Sequence, residues 1–125
     1  MKKLPKRLIN EWNKRKGPVV FATVDKNGVP NMIYASCVSM FNESAIVVAD
    51  NYFDKTKRNV LYGRTGAILF ITGDDKSYQV KGNISYHKDG PVFDFMKKWN
   101  PPEHPGKGAV SIEIREVYSG SEKLM

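Results

Sequence analysis

Short apolar segments of strand length, separated by turn signals, limit the possible folds of this sequence more than any other feature. The segment Val19–Val24 is an apolar run, and Asp25-Lys26-Asn27-Gly28 after it carries an Asn-Gly pair that favours a hairpin. The next strand is predicted at about residues 30–41, and Asn42-Glu43-Ser44 then turns the chain into a third strand at residues 45–49. Three antiparallel strands therefore follow one another along the chain.

Three more strands are predicted in the second half of the chain. Residues 67–71 form a fourth strand, and a turn at Gly73-Asp74-Asp75 leads into a fifth. The fifth strand alternates apolar and polar side chains, and its apolar face carries Tyr78, Val80, Ile84 and Tyr86. The last strand, at residues 109–118, alternates in the same way. This alternation predicts that one face of each strand contacts solvent.

Three short helices complete the prediction. The first covers residues 4–16, because Pro5 suits a first helical turn and an apolar stripe with helical spacing follows it. The second covers residues 54–62, with Asp54 as its N-terminal cap and a glycine just after its end. The third covers residues 90–99 and is stopped by the prolines that follow. All three are short enough to lie at the rim of a β-structure.

These elements predict a mainly β fold, because strands that follow one another by hairpins do not build a parallel βαβ sheet. We expect a six-stranded antiparallel barrel with short helices at its rim, since closure removes exposed sheet edges. A length of 125 residues favours a single domain over residues 1–125.

The sequence also predicts a cytoplasmic protein. No stretch reaches the roughly 20 apolar residues that span a bilayer, and the basic N-terminus lacks the apolar block of a secretory signal. The single cysteine, Cys37, excludes an internal disulfide framework and agrees with a reducing compartment.

The formal net charge of +7 suggests an anionic partner, which includes nucleic acid, a membrane surface and a phosphorylated cofactor. Much of the positive charge falls into two clusters, one around Lys55 and one at the N-terminus, namely Lys2, Lys3, Lys6, Arg7, Lys14, Arg15 and Lys16. We interpret the N-terminal cluster as the solvated face of an amphipathic helix. Nucleic-acid binding is an alternative, with Tyr34, Tyr78 and Tyr86 as stacking residues.

No residues form a recognisable set of catalytic or metal-binding groups. The two histidines, His87 and His104, fall in predicted loop or edge positions, so no acid, base or nucleophile is nominated. Cys37 lies in the middle of a predicted strand without a cysteine partner, which predicts a buried structural thiol. A zinc site requires several ligands at defined spacings, and we predict none.

The strongest local signal for ligand binding is a strand that ends at Asp50 and Asn51, followed by a helix that begins with Lys55 and Thr56. Free N–H groups at a helix N-terminus attract a phosphate, and a lysine and a threonine add hydrogen bonds to it. Alternatively, Asp54 caps the helix and the basic residues are solvated. On the local residues alone the two interpretations are equally supported.

Three motifs together resemble the FMN-binding split-barrel family related to pyridoxamine 5′-phosphate oxidase, especially its short members. They are Ala22-Thr23-Val24-Asp25-x-x-Gly28-x-Pro30-Asn31, Val47-Val48-Ala49-Asp50 and Lys55-Thr56-x-x-Asn59-Val60. Asp89-Gly90-Pro91-x-Phe93 at a late helix also fits, so that the resemblance covers nearly the whole chain.

The resemblance implies a homodimer with flavin mononucleotide (FMN) at each end of the subunit interface. It places the flavin ring beside Met32, Ile33, Tyr34, Ala35 and Ser36. It places the phosphate at Asn51, Lys55 and Thr56, with Ala49, Asp50 and Asn59 near it. It also implies that Trp99 of one subunit covers the ring bound by the other.

The activity implied is that of an FMN-dependent oxidoreductase or electron-transfer protein, with an unidentified electron donor or small-molecule substrate. Because the flavin carries the chemistry, the protein needs to supply only binding, orientation and electrostatics. The chain ends at Ser119-Gly120-Ser121-Glu122-Lys123-Leu124-Met125 without the arginine- and histidine-bearing elements of the true oxidase, so we do not expect pyridoxamine phosphate oxidation. Relatives with the same barrel use a deazaflavin coenzyme or haem, and these ligands remain alternatives.

Overall fold

The computed structural model describes residues 3–125, and its strands form one curled antiparallel sheet with three short helices around it. In chain order the elements are α1 (Lys6–Trp12), β1 (Val19–Val24), β2 (Pro30–Ala35), β3 (Val38–Phe41), β4 (Ala45–Asp50), α2 (Lys55–Tyr62), β5 (Thr65–Ile71), β6 (Ser77–His87), α3 (Gly90–Trp99), β7 (Gly108–Ser119) and β8 (Glu122–Lys123). The order across the sheet is β2-β1-β5-β6-β7-β4-β3, and β8 pairs with β7. The predicted mainly β split-barrel fold is confirmed.

The predicted count of six strands was too low. The segment predicted as one strand over residues 30–41 divides at Ser36 and Cys37 into β2, which pairs with β1, and β3, which pairs with β4. These two strands are consecutive in the chain but lie at opposite ends of the sheet order. The chain therefore bends at Ser36 and Cys37, between the edge strand β2 and the opposite edge strand β3. The two-residue strand β8 was not predicted at all.

The core lies inside the curled sheet, where the large buried side chains of four central strands meet. It includes Phe21, Ile68, Tyr78, Val80 and Ile112. Their burial follows the alternation in the sequence, so that the predicted inner faces of β6 and β7 are confirmed. Each Å² of apolar surface that is buried stabilises the folded state by about 25 cal/mol, so this layer is the main stabilising feature of the fold.

Helix α1 closes one end of the core and is shorter than predicted. It covers Lys6–Trp12 rather than residues 4–16, because Arg15 forms an isolated β-bridge with Thr72 and the N–H of Lys16 donates to the carbonyl of Ile71 at 2.7 Å. Pairing with the end of β5 thus replaces the last helical turn. Most basic residues of the N-terminal cluster are exposed, as the solvated-face interpretation requires, and Lys2 lies outside the described residues.

Helix α2 has its predicted bounds, but the predicted role of Asp54 is wrong. Asp54 occupies the N-cap position without a side-chain capping hydrogen bond, and both of its carboxylate oxygens instead accept from Arg58 Nη2 at 3.3 Å. Gly63 ends the helix in the left-handed conformation, with φ of 79°. The first N–H groups of α2 are therefore left without the expected cap.

Two further expectations are corrected. Cys37 lies at the bend between β2 and β3 rather than within a strand, and it is half-buried rather than buried. Of the three tyrosines proposed for base stacking, only Tyr34 is fully exposed, because Tyr78 belongs to the core and the Tyr86 hydroxyl donates to Asp50 Oδ2. These tyrosines do not form a shared stacking surface. Within residues 3–125, the helices are too short or too polar to cross a bilayer.

Candidate cofactor site

A cavity of about 440 Å³ lies between β2 and the segment that joins β4 to α2. Seven consecutive residues, 31–37, line one wall. Because alternate side chains of a strand point to opposite faces, a wall of consecutive residues presents the edge of the strand. This is the edge of β2 that has no neighbouring strand in the sheet, so its N–H and C=O groups are available to a ligand.

One end of the cavity carries hydrogen-bond donors of the kind that bind anions, beside the carboxylate of Asp54. Thr56, 2% exposed, accepts a hydrogen bond on Oγ1 from Asn31 Nδ2 at 3.0 Å, which leaves its hydroxyl proton available to donate. Lys55 is exposed beside it, and both residues line the cavity. The first N–H groups of α2 have no intrahelical partner, and Asp54 does not cap them. The helix end, the lysine and the threonine therefore converge as donors for a phosphate.

The remainder of the cavity is mainly apolar and elongated along β2. Met32 and Tyr34 are among the most exposed of the large hydrophobic side chains, at 69% and 77%, and both line the cavity. Ile33, Ala35 and Phe53 line it as well and pack against the core. Small-molecule sites typically have volumes of about 300–1,000 Å³ and apolar walls with few polar groups. An apolar wall that leads to an anion site fits FMN, which joins a flat ring to a phosphate.

The cavity brings together nine of the twelve residues predicted for the site. These are Met32, Ile33, Tyr34, Ala35, Ser36, Ala49, Asn51, Lys55 and Thr56. The predicted contact of Asn51 with the phosphate stays a prediction, and its side chain also forms three hydrogen bonds within the protein. Asn51 Nδ2 donates to Asn100 Oδ1 at 3.1 Å, and Asn51 Oδ1 accepts from Asn100 Nδ2 and from the Gly106 N–H, both at 2.9 Å. Its amide thus fixes the loop after α3 beside the cavity.

Three predicted residues do not line the cavity. Asp50 is buried behind it, where Oδ1 accepts from the Phe53 N–H at 3.0 Å and Oδ2 accepts from the Tyr86 hydroxyl. Burial and this carboxylate raise the pKa of Tyr86. Asn59 is buried and donates to Thr23 Oγ1 at 3.0 Å. Trp99 is half-buried in an outer cluster around Met96, and its role across a subunit interface stays a prediction.

Six further lining residues were not named individually as cofactor-binding: Asn31, Cys37, Tyr52, Phe53, Asp54 and His104. Residues 52–54 nevertheless lie in the segment 51–56 that was predicted to hold the phosphate. Asn31, Tyr52 and Phe53 lie within or beside segments that carried the phosphate and family signals. His104 had no such signal, because it reaches the cavity from the loop between α3 and β7.

A second cavity, of about 680 Å³, adjoins the first and shares Asn31 and Lys55 with it. Its lining also includes Lys26, Arg58 and the buried Asn59. The end of the first cavity at Lys55 therefore continues into a space whose other charged residues are Lys26, Asp25 and Arg58, and Arg58 is paired with Asp54.

Comparisons with known proteins identify relatives of this chain by sequence. The sequence profile of pyridoxamine 5′-phosphate oxidase matches residues 6–120. The uncharacterized protein MJ0282 of Methanocaldococcus jannaschii is 32% identical over 106 residues, which cover 81% of this chain and 71% of that protein.

Solved structures share the fold at low sequence identity. HupZ of Group A Streptococcus has a TM-score of 0.82 at 17% identity and covers 96% of each chain. An FMN-binding protein of Syntrophomonas wolfei has a TM-score of 0.77 at 23% identity, covering 94% of this chain and 88% of that one. HutZ, the heme storage protein of Vibrio cholerae, has a TM-score of 0.67 at 16% identity over 94% of this chain and 95% of its own. An F420 reductase has a TM-score of 0.65 at 17% identity over 84% and 91%.

The match to the family profile extends over most of the chain. This chain belongs to the pyridoxamine 5′-phosphate oxidase family.

Proposed function

We propose that this protein is an FMN-binding flavoprotein that acts as an oxidoreductase or electron-transfer protein. The observation that carries the proposal is the cavity itself, which joins the uncapped N-terminus of α2, with Lys55 and Thr56, to an apolar wall along β2. The FMN-binding relative of known structure supports the same choice of ligand. A cytoplasmic location, supported by the single cysteine, is part of the proposal.

In this proposal the chain binds and orients the cofactor, and the bound flavin supplies the redox chemistry. Lys55 and Thr56 hold the phosphate, and the free edge of β2 offers main-chain hydrogen bonds to the polar side of the ring. Phe53 and Ile33 exclude water from the inner side of the cavity. The exposed side remains open to an electron donor or a small substrate.

The direct test is the visible absorption of the purified protein and of the protein reconstituted with FMN. We expect the two-band spectrum of bound flavin and one FMN per chain after reconstitution. Release of the ligand and mass spectrometry identify it. A colourless protein that does not bind added FMN would refute the proposal.

A homodimer is also proposed, and an exposed apolar surface beside the cavity supports it. The pairing register places six residues in two adjacent rows on the outer face of the sheet, namely Tyr34, Val20 and Leu69, and Met32, Ala22 and Ala67. Among them Tyr34, Met32 and Leu69 are large and exposed. Contiguous apolar surface of this kind marks interaction sites, and a second copy of the chain would cover it and narrow the open side of the cavity.

Light scattering after size exclusion tests the dimer. We expect twice the chain mass for the wild type and a monomer for Leu69→Glu, which puts a charge in the apolar surface. Leu61→Glu is the matched control, because Leu61 is an exposed leucine on α2 outside this surface. A monomeric wild type would refute the dimer and leave the FMN site as proposed.

The second cavity favours one alternative ligand, a deazaflavin coenzyme whose anionic chain continues beyond its phosphate. Arg58 in that cavity is paired with Asp54 and Asp25 also lines it, so Lys26 and Lys55 are the cations that would contact such a chain. An F420 reductase has the same fold. The mass of the ligand released from the native protein distinguishes this coenzyme from FMN and from haem.

A further inference from the structure

His104 enters the cavity from a part of the chain that is distant in sequence from the other lining residues. It lies in the segment 100–107 between α3 and β7, and within the described chain it is the one residue of that segment that lines the cavity. Its half-buried ring stands edge-on to that of Tyr52, with centroids 5.7 Å apart and an interplanar angle of 86°. The Tyr52 hydroxyl and His104 Nδ1 are 3.3 Å apart, within hydrogen-bond distance.

The segment that carries His104 is held at both ends by buried hydrogen bonds. Asn51 forms a reciprocal amide pair with Asn100 at the start of the segment and accepts from the Gly106 N–H near its end. Lys107 N–H donates to the Asp50 carbonyl at 2.8 Å. Prolines at positions 101, 102 and 105 restrict the backbone between these anchors. The imidazole is therefore positioned before any ligand binds, which lowers the entropic cost of a contact with it.

The hydrogen bonds of His104 leave one ring nitrogen for the ligand. Nδ1 is engaged by Tyr52, whereas Nε2 has no hydrogen-bond partner among residues 3–125. When the Tyr52 hydroxyl donates to Nδ1, the proton of the neutral imidazole resides on Nε2. His104, which lines the cavity, then carries a donor that is separate from the donors at the N-terminus of α2.

We propose that His104 donates from Nε2 to an acceptor atom on the ring of the bound cofactor and that Tyr52 positions the imidazole for this contact. The inference rests on the proposed flavin, whose ring carries carbonyl oxygens and unprotonated nitrogens at its polar edge. Lys55 and Thr56 recognise the phosphate, so His104 and these residues recognise different parts of one ligand.

Binding of FMN and of riboflavin, which has the ring without the phosphate, tests the assignment. We expect His104→Ala to weaken both ligands by the same factor, about 2-fold to 10-fold for one lost hydrogen bond. The visible bands of the bound flavin should shift in the same variant, because a ring acceptor loses its donor. His104→Gln, which retains an amide donor at a similar reach, should recover part of both effects, and Tyr52→Phe should show a smaller loss.

His87→Ala is the matched control, because His87 bonds to Ser111 Oγ through Nε2 at 2.8 Å and does not line the cavity. Thermal unfolding of each variant verifies that it is folded. Unchanged affinity and spectrum in His104→Ala would overturn the assignment while the wild type still binds FMN. A loss restricted to FMN would also overturn it, since it would indicate a contact with the phosphate. Absence of flavin binding by the wild type would overturn the proposed function itself.

Discussion

Replacing Lys55 with alanine removes an exposed ammonium group from the first turn of α2 and leaves Thr56 in place. A hydrogen bond to a charged group contributes about 1.5–3 kcal/mol. Because Lys55 is exposed, screening by solvent places the expected loss of FMN binding free energy near the lower end, about 1.5 kcal/mol or roughly 10-fold in Kd. The N–H groups of α2 and the Thr56 hydroxyl remain, so binding is weakened and not abolished.

The assay is titration of the apoprotein with FMN and with riboflavin, in which the quenching of flavin fluorescence reports binding. Riboflavin lacks the phosphate, so its affinity should be unchanged in Lys55→Ala. Lys98→Ala removes the same charge from an exposed position on α3 and controls for net charge. The FMN difference should shrink as salt is added. Equal losses for the two ligands, or the same FMN loss in Lys98→Ala, would refute the reasoning.

Three further predictions concern stability. Asn51→Ala removes three buried hydrogen bonds and should lower the free energy of unfolding in urea by about 2–4 kcal/mol. Gly82→Ala places a Cβ 1.9 Å from a carbonyl oxygen of β7 and should cost more than about 2 kcal/mol in the same assay, whereas Gly73→Ala has open space and should change stability by less than about 0.5 kcal/mol. Burial and the Asp50 carboxylate raise the pKa of Tyr86 in the folded state. The Tyr86 hydroxyl therefore contributes fully to the free energy of unfolding below about pH 10, and this contribution is lost as the pH rises. Unfolding of Tyr86→Phe, measured from about pH 8 to 11, should lack this dependence.

For each of these predictions, one outcome of the measurement would contradict it. A loss below about 1 kcal/mol in Asn51→Ala would mean that the amide pair contributes little in solution. Equal effects of the two glycine substitutions would exclude the close approach of β6 to β7 as the cause. The same alkaline decline in wild type and Tyr86→Phe would assign that decline to other groups, such as lysines.

The parts of the fold that depend on local pattern were predictable from the sequence. The strand Val19–Val24 has the bounds that its apolar run and the Asn-Gly turn predict, and α2 ends at Gly63 as expected. The bend at Ser36 and Cys37 was not predictable in the same way, because neither residue is a glycine or a proline. It arises because β2 pairs with β1 and β3 pairs with β4, so that the two flanking strands belong to different hairpins at opposite ends of the sheet order.

The residues of the candidate site likewise divide into those that the sequence predicted and those that it did not. Lys55 and Thr56 were predicted from a local motif and residues 32–36 of the β2 segment from the resemblance to the family, and the structure brings them to one cavity. His104 was missed, because its approach depends on the buried contact of Asn51 with Asn100, which are 49 residues apart. Asp54 illustrates the opposite case, in which a residue type favoured for capping forms an ion pair with Arg58 instead.

The free edge of β2 along the cavity has a consequence for mutagenesis and for sequence drift. Hydrogen bonds from main-chain groups survive side-chain replacement. The contribution of this edge to binding of the proposed flavin ring should therefore change little in an alanine scan of residues 32–36. Proline is the exception, because it removes an N–H and fixes φ. A binding surface of this kind leaves little trace in residue identity, and it can persist in proteins whose sequences no longer reveal it.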